Sequence, residues 1–373
     1  MNSQQEKRRN PFLTHGYESP KYFCDREKET EKLMSALQNG RNVTLIAPRR
    51  MGKTGLIKNV FFHIKQKEKK AVCIYIDVFS TRNMTEFNDL LGKATLKEME
   101  TPMEKIGKII SSCRPVISLD ALTGTPTLSL NLQEGHSEQT LKEILDYMNQ
   151  SGRECYIAID EFQQITSYKD EKPEALLRSH IQFTPNIHFI FSGSSRHLMS
   201  EMFLSAKRPF YQSTQMMAID KIDKERYQAF ASHFFSNADR ILTEDGFDYI
   251  YNRFEGHTWY IQATLNRLYE STYVHIGKEQ AETIIQEIVE ENTESYQALL
   301  LLLTDRQVSL LRAIAAEGLV KSPLSGDFLN RHNLKSASTI SAAVKSLTDK
   351  ELLYRIPEGY SVYDRFMAIW LRK

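Results

Sequence analysis

Residues 43–54 read Val43-Thr44-Leu45-Ile46-Ala47-Pro48-Arg49-Arg50-Met51-Gly52-Lys53-Thr54. A short apolar run, consistent with a buried strand, breaks into a turn, and Gly-Lys-Thr opens an amphipathic stretch expected to be helical from near Gly55. This is the pattern of a phosphate-binding loop. Main-chain N–H groups of such a loop face nucleotide phosphates, and the helix N-terminus adds partial positive charge. Lys53 is placed to reach the β- and γ-phosphates, and Thr54 to offer a hydroxyl to Mg²⁺. Ala47, Pro48, Arg49, Arg50, Met51, Gly52 and Gly55 complete the stretch expected to line ATP or ADP. The pattern G-x-x-x-x-G-K-[ST] wants Gly at position 47, where this chain has Ala, which does not adopt φ > 0 at low cost.

A second motif follows at Cys155-Tyr156-Ile157-Ala158-Ile159-Asp160-Glu161-Phe162. An apolar strand ends in two carboxylates. Behind a phosphate loop this predicts Asp160 as a Mg²⁺ ligand and Glu161 as the group that orients or deprotonates an attacking water. A further strand, Ile187 to Phe191, ends in Ser192-Gly193-Ser194. Ser192 and Ser194 are both candidates to read the γ-phosphate, or are turn residues before the next helix.

The 373 residues carry 48 Lys and Arg against 47 Asp and Glu, so no overall field marks a nucleic-acid binder. Hydrophobic and charged fractions of 41% and 25% are those of an ordinary globular chain. The length predicts two or three domains. Four cysteines, Cys24, Cys73, Cys113 and Cys155, show no CxxC spacing and read as thiols in a reducing compartment. The longest apolar cluster, residues 298–303, is too short to span a bilayer. A cytoplasmic protein without membrane partners is expected. The ten histidines show no HExxH or His-x-His spacing.

Residues 1–20 read as a loose arm, and Phe23 to Glu27 lead into a helix that Asn39-Gly40 stops. Strands at 42–47, 71–79, 155–160, 187–191 and 216–219 alternate with helical sequence at 84–112 and 138–150. A hairpin-like insertion with Thr123-Gly124 at its turn is read within 119–132. The expected fold is an α/β P-loop NTPase with a mostly parallel sheet covered by helices on both faces, closing near residue 220. Residues 221–303 read as a wholly helical lid whose late glutamates, from Glu279 to Glu294, form a solvated face.

Residues 304–373 read as helix, helix, helix and hairpin, the order of a winged helix. Its third helix would present Lys335, Ser338, Thr339, Ser341, Lys345 and Lys350 to a partner. Eleven Lys and Arg against seven Asp and Glu give residues 305–373 four positive charges in excess. That suits duplex DNA, though a protein partner fits equally.

Phe23-x-x-Arg26-Glu27, Pro48-Arg49-Arg50-x-Gly52-Lys53-Thr54, Ile159-Asp160-Glu161-Phe162-Gln163 and Ser192-Gly193-Ser194 together resemble the archaeal-type ATPase family of the STAND/AAA+ P-loop NTPases. The resemblance covers nearly the whole chain and is also similar in architecture to archaeal origin-recognition initiators. It implies an Mg²⁺-dependent ATPase whose hydrolysis resets a conformational switch, with a protein partner or homo-oligomer. The alternative is a DNA-binding regulatory or recruitment module that holds ATP or ADP with little turnover. The family accepts Ala or Ser at the first loop position. The lid motif Gly-His-Pro stands here as Gly256-His257-Thr258, so His257 either faces the nucleotide or caps a helix. Arg208 sits where relatives carry an Arg before the fifth strand and is either an arginine finger acting in trans or a surface residue. Arg49 and Arg50 share that ambiguity.

Overall fold

The computed structural model describes residues 10–100, 113–119, 126–132, 136–170, 172–334, 336–356 and 358–373. The chain divides into two compact units. His15–Ile222 form one. Residues up to Thr14 join Asp223–Lys373 in the other.

The first unit is built on five strands: β1 (Val43–Ile46), β2 (Val72–Asp77), β5 (Cys155–Asp160), β6 (Ile187–Gly193) and β7 (Gln215–Ala218). Their order is β2-β5-β6-β1-β7, every neighbour parallel. β1, β5 and β6 are buried along their whole length, which is why they read as unbroken apolar runs rather than alternating ones. Alternate side chains still choose opposite faces. Val72, Ile74, Ile76, Ile157 and Ile159 pack on one side with Phe87 and Leu91. Cys73, Tyr156 and Ala158 pack on the other with Leu33, Leu37, Leu56 and Val60.

The covering helices are α1 (Glu27–Gln38), α2 (Lys53–Lys67), α3 (Met84–Glu98), α4 (Ser137–Gln150), α5 (Pro173–Ile181) and α6 (Arg196–Leu204). Asn83 caps α3 by accepting from Glu86 N–H, a contact that offsets one orphan donor. The helix expected over 84–112 is described only to Glu98, with 101–112 outside the described residues. The insertion is larger than the sequence reading: β3 (Cys113–Leu119) pairs antiparallel with β4 (Pro126–Leu132). Its Thr123-Gly124 turn lies outside the described residues.

The second unit contains α7 (Lys224–Ser236), α8 (Glu244–Arg253), α9 (Thr258–Glu270), α10 (Lys278–Glu291) and α11 (Thr293–Leu301). It is not wholly helical, because β8 (Ile241–Leu242) pairs parallel with β9 (His275–Ile276). Nor is the start of the chain loose throughout. Asn10 donates to Asn266 O at 2.8 Å and Asn266 returns a bond to Phe12 O at 2.7 Å. Phe12 is fully buried against Phe230, Phe234, Phe235 and Tyr269.

The same unit continues into α12 (Asp305–Glu317), α13 (Gly326–Arg331), α14 (Ala337–Asp349), the hairpin β10 (Leu353–Ile356) and β11 (Gly359–Val362), and α15 (Arg365–Leu371). This is a winged helix closed by a last helix that the sequence reading missed. Asp364 caps it by accepting from Phe366 and Met367 N–H. Leu310, Ile314, Phe328, Ile340, Leu347, Leu353 and Met367 share one core.

Candidate functional site: the phosphate loop and its acidic neighbours

In-register pairing brings four strand ends together. Ile46 lies opposite Gly193, Ile159 opposite Phe191, and Asp77 opposite Asp160. The loop after β1 therefore emerges beside the carboxylates at the end of β5 and the serines at the end of β6, at the carboxyl edge where parallel sheets place their ligands.

Helix α2 begins at Lys53, two residues earlier than expected, with Gly52 as its N-cap at φ 89°. Within the loop Arg50 (φ 65°) and Gly52 take the left-handed region, and Ala47 does not. The missing glycine at position 47 therefore costs no backbone strain. Gly55 serves packing: a Cβ there would stand 2.9 Å from Phe23 Cε2. Arg26, buried and left-handed at φ 75°, pairs with Glu29 at 2.9 Å and points Nη2 at Met51 O from 3.5 Å. The Phe-x-x-Arg-Glu lead-in thus packs against the loop from behind.

Lys53 is buried, and its Nζ donates to Ala47 O at 2.9 Å and Pro48 O at 3.2 Å. Burial pulls its pKa below the usual lysine value, and Glu161 and Asp160 oppose that shift. Thr54 Oγ1 donates to Asp160 Oδ2 at 2.9 Å, and the Tyr75 hydroxyl donates to the same oxygen at 2.7 Å. Asp160 Oδ1 accepts from Glu161 N–H at 3.0 Å. Burial and then the Asp160 charge push the Tyr75 hydroxyl pKa up. Asp77, whose pKa is raised chiefly by burial and further by Asp160 and Glu161, is a third carboxyl at this edge. Neither Tyr75 nor Asp77 was singled out from sequence. Their signal was register: both lie on β2, which pairs with β5.

Glu161 stands at φ 54°, a conformation that costs a non-glycine residue about 1–2 kcal/mol. Its Oε2 accepts from Ser194 Oγ at 2.7 Å and from Gln163 Nε2. Arg49 Nε approaches Ser194 Oγ at 3.4 Å, and its guanidinium covers the Phe79 ring at 5.4 Å. Of the two serine candidates, Ser194 joins this network. Ser192 is fully buried, and its Oγ has no hydrogen-bond partner. Arg50 is exposed.

Arg208 lies elsewhere in the α/β unit, between Glu174 at 3.0 Å and Glu201 at 2.9 Å. The Glu174 side chain is only 8% exposed, so its pKa is raised by burial and lowered by the Arg208 charge. His257 belongs to the helical unit. It is the N-cap residue of α9 and meets Arg365 Nη2 at 3.3 Å. Among the described residues no cluster of three or more His, Cys, Asp or Glu forms a metal site, and no helix is long and apolar enough to cross a membrane.

Residues 23–264 match the family described as an ATPase domain predominantly from Archaea, well over half of the chain. The protein belongs to the archaeal-type ATPase family. Residues 294–373 match the family described as "Probable winged helix domain". Two solved structures extend the likeness over nearly the whole length of this ATPase-family chain. A Walker-type ATPase of Pyrococcus abyssi is 19% identical, with a TM-score of 0.66, covering 97% of this chain and all of that one. The Aeropyrum pernix ORC2 protein, solved as ADPNP–ADP complexes, is 14% identical, with a TM-score of 0.57, covering 98% and 96%. At these identities the likeness shows the fold: a P-loop ATPase sheet with a C-terminal winged helix. No curated protein matches the sequence significantly.

Proposed function

We propose that this member of the family is an Mg²⁺-dependent ATPase whose nucleotide state sets a conformational switch. One observation carries the reading. A buried lysine amine, a threonine hydroxyl, an aspartate and a glutamate meet at one sheet edge, each already hydrogen-bonded in place.

The groups fit the ligand. Lys53 donates to two loop carbonyls, and phosphate oxygens are acceptors of the same kind. Thr54 Oγ1 and the Asp160 carboxylate are adjacent hard oxygens, the donor type Mg²⁺ prefers. These two residues would hold the ion, which would supply charge against the β- and γ-phosphates. Loop N–H groups between Arg49 and Thr54 hold the phosphates. Glu161 takes a proton from water as the water oxygen bonds the γ-phosphorus and the bond to the β–γ bridging oxygen breaks. Ser194 and Gln163 fix the carboxylate orientation for that transfer. Arg49, held over Phe79 and beside Ser194, is a loop cation in contact with this network.

The test is steady-state ATP hydrolysis with Mg²⁺ for wild type and Glu161→Gln. Loss of turnover with ATP binding retained supports the reading. Equal turnover in both proteins removes Glu161 from it.

A second reading rests on α14, where Ser338, Ser341 and Lys345 are exposed, as is Lys350 at its C-cap. Lys335 lies outside the described residues. Here the winged helix docks on duplex DNA while nucleotide is held with little turnover. Duplex binding by the full chain that falls steeply from low to moderate salt, together with negligible hydrolysis, favours it. Absence of duplex binding at low salt excludes it.

A further inference from the structure

The helical unit contains a cavity of about 220 Å³. Its walls are the last turn of α8, the end of α12, strand β11 and one face of α15. Three guanidinium-bearing residues line it, Arg253, Arg365 and Arg372, against one carboxylate, Glu255. Two positive charges are left in excess.

Arg365 is 9% exposed. Its Nη1 and Nη2 each donate to Glu255 at 3.0 Å, and Nη2 also meets the Tyr354 hydroxyl and His257. Its buried Nε–H has no acceptor, and neither has Arg253 Nε–H. Ser361 lines the same space at 3% exposure, with an Oγ that makes no hydrogen bond. Arg372 Nε donates to Ala315 O at 2.6 Å, which satisfies a carbonyl at the end of α12. Burial, and then repulsion from Arg253 and Arg365, pull the Arg372 pKa down.

Buried donors without acceptors are costly and rare. Three such groups on residues lining one void, in a field of excess positive charge, are the inverse of an oxyanion. Arginine forks match phosphate geometry better than ammonium groups do. The void lies below the range of about 300–1,000 Å³ that holds drug-sized molecules, and it has room for a tetrahedral oxyanion together with bound water.

We propose that this cavity binds a small phosphate-type oxyanion, either free phosphate or the phosphate end of a phosphomonoester. Glu255 belongs to the segment joining α8 to α9, and Arg365 and Ser361 belong to the winged helix, so the anion fastens these two parts of one unit. The site belongs to the helical unit and the phosphate loop to the α/β unit, and binding there does not depend on hydrolysis.

The test titrates inorganic phosphate calorimetrically into full-length Lys53→Ala, with chloride at matched ionic strength as control. Wild type saturated with ADP serves if that variant misfolds. Saturable binding is expected, weakened about tenfold or more in Arg253→Gln, with Ser361→Ala as a milder variant that loses a few-fold. Circular dichroism confirms the folding of each. Equal binding of ribose 5-phosphate assigns the site to phosphomonoesters, and its exclusion assigns it to free phosphate. No heat beyond chloride, or unchanged affinity in both cavity variants, overturns the proposal.

Discussion

At the end of β1 the positive potential comes from main-chain N–H groups, held by a turn with Arg50 and Gly52 at positive φ and by the start of α2. In the helical unit it comes from arginine side chains carried on α8 and α15. The first arrangement fixes most of its donors through backbone geometry, to which the Lys53, Arg49 and Arg50 side chains add removable charge. The second is made of side chains that single substitutions can delete one at a time. The two regions should therefore fail differently under mutation, and they can be told apart by how they fail.

The largest effects belong to the phosphate loop. Glu161→Gln should lower turnover by about 10²- to 10⁴-fold with ATP binding intact. Lys53→Ala should remove binding and turnover together. Equilibrium binding of a fluorescent nucleotide beside the hydrolysis assay separates the two cases. Gly193→Ala tests the support behind Glu161. A Cβ there would stand 2.5 Å from Met199 Sδ and collide with Gln163 Oε1. Overpacking of about 1–3 kcal/mol and reduced turnover are expected, read by urea unfolding and hydrolysis. By contrast, Gly52→Ala meets no atom within 4 Å. It should cost only the strain of φ 89°, about 1–2 kcal/mol, and a larger loss would show that the loop needs more than backbone shape.

Arg208→Ala sharpens the contrast from the structural side. It leaves Glu174 nearly buried without its cation, worth about 2 kcal/mol after allowance for the 29% exposure of Arg208. Burial already raises the Glu174 pKa, and losing the cation raises it further. The variant's stability is therefore fullest below the unfolded carboxylate value and falls as pH rises through the folded one. Unfolding at pH 5 and pH 8 should show the larger deficit at pH 8. A hundredfold loss of turnover in the folded fraction would instead give Arg208 to the reaction. The smallest effect concerns the thiols. Burial pushes Cys155 up to about 11 and Cys73 up to about 12, so neither should react with a thiol reagent at pH 8 until the protein unfolds.

The two regions also differ in how they show in sequence. A site made of main chain needs its residues in succession, so Gly52-Lys53-Thr54 announces it. Asp160-Glu161 is equally contiguous, because one strand end supplies both acids. Tyr75 and Asp77 were silent because they reach the site through the register of β2 on β5, which no local pattern encodes. Ser192 and Ser194 were indistinguishable as letters. The first lies inside β6, which is buried along its whole length, and the turn after β6 delivers the second to Glu161. The arginine cavity left no trace, since Arg253 stands more than a hundred positions before Ser361 and Arg365. The closing helix α15 was missed because its apolar residues follow a strand directly, and only the Asp364 cap marks its start. The winged helix itself was legible because its helices and hairpin are local.

The placement of Phe12 carries a consequence for the order of synthesis. Asn10 and Asn266, which exchange bonds around it, are 256 residues apart. At a translation rate of roughly 5–20 residues per second, about 10–50 s separate their appearance. During that interval the whole α/β unit is synthesised, and the helices that bury the Phe12 ring come after it. The helical unit therefore depends on residues synthesised well before it. A fragment that begins at Asp223 would fold around a hole the size of a phenyl ring, at a cost of about 3 kcal/mol or more.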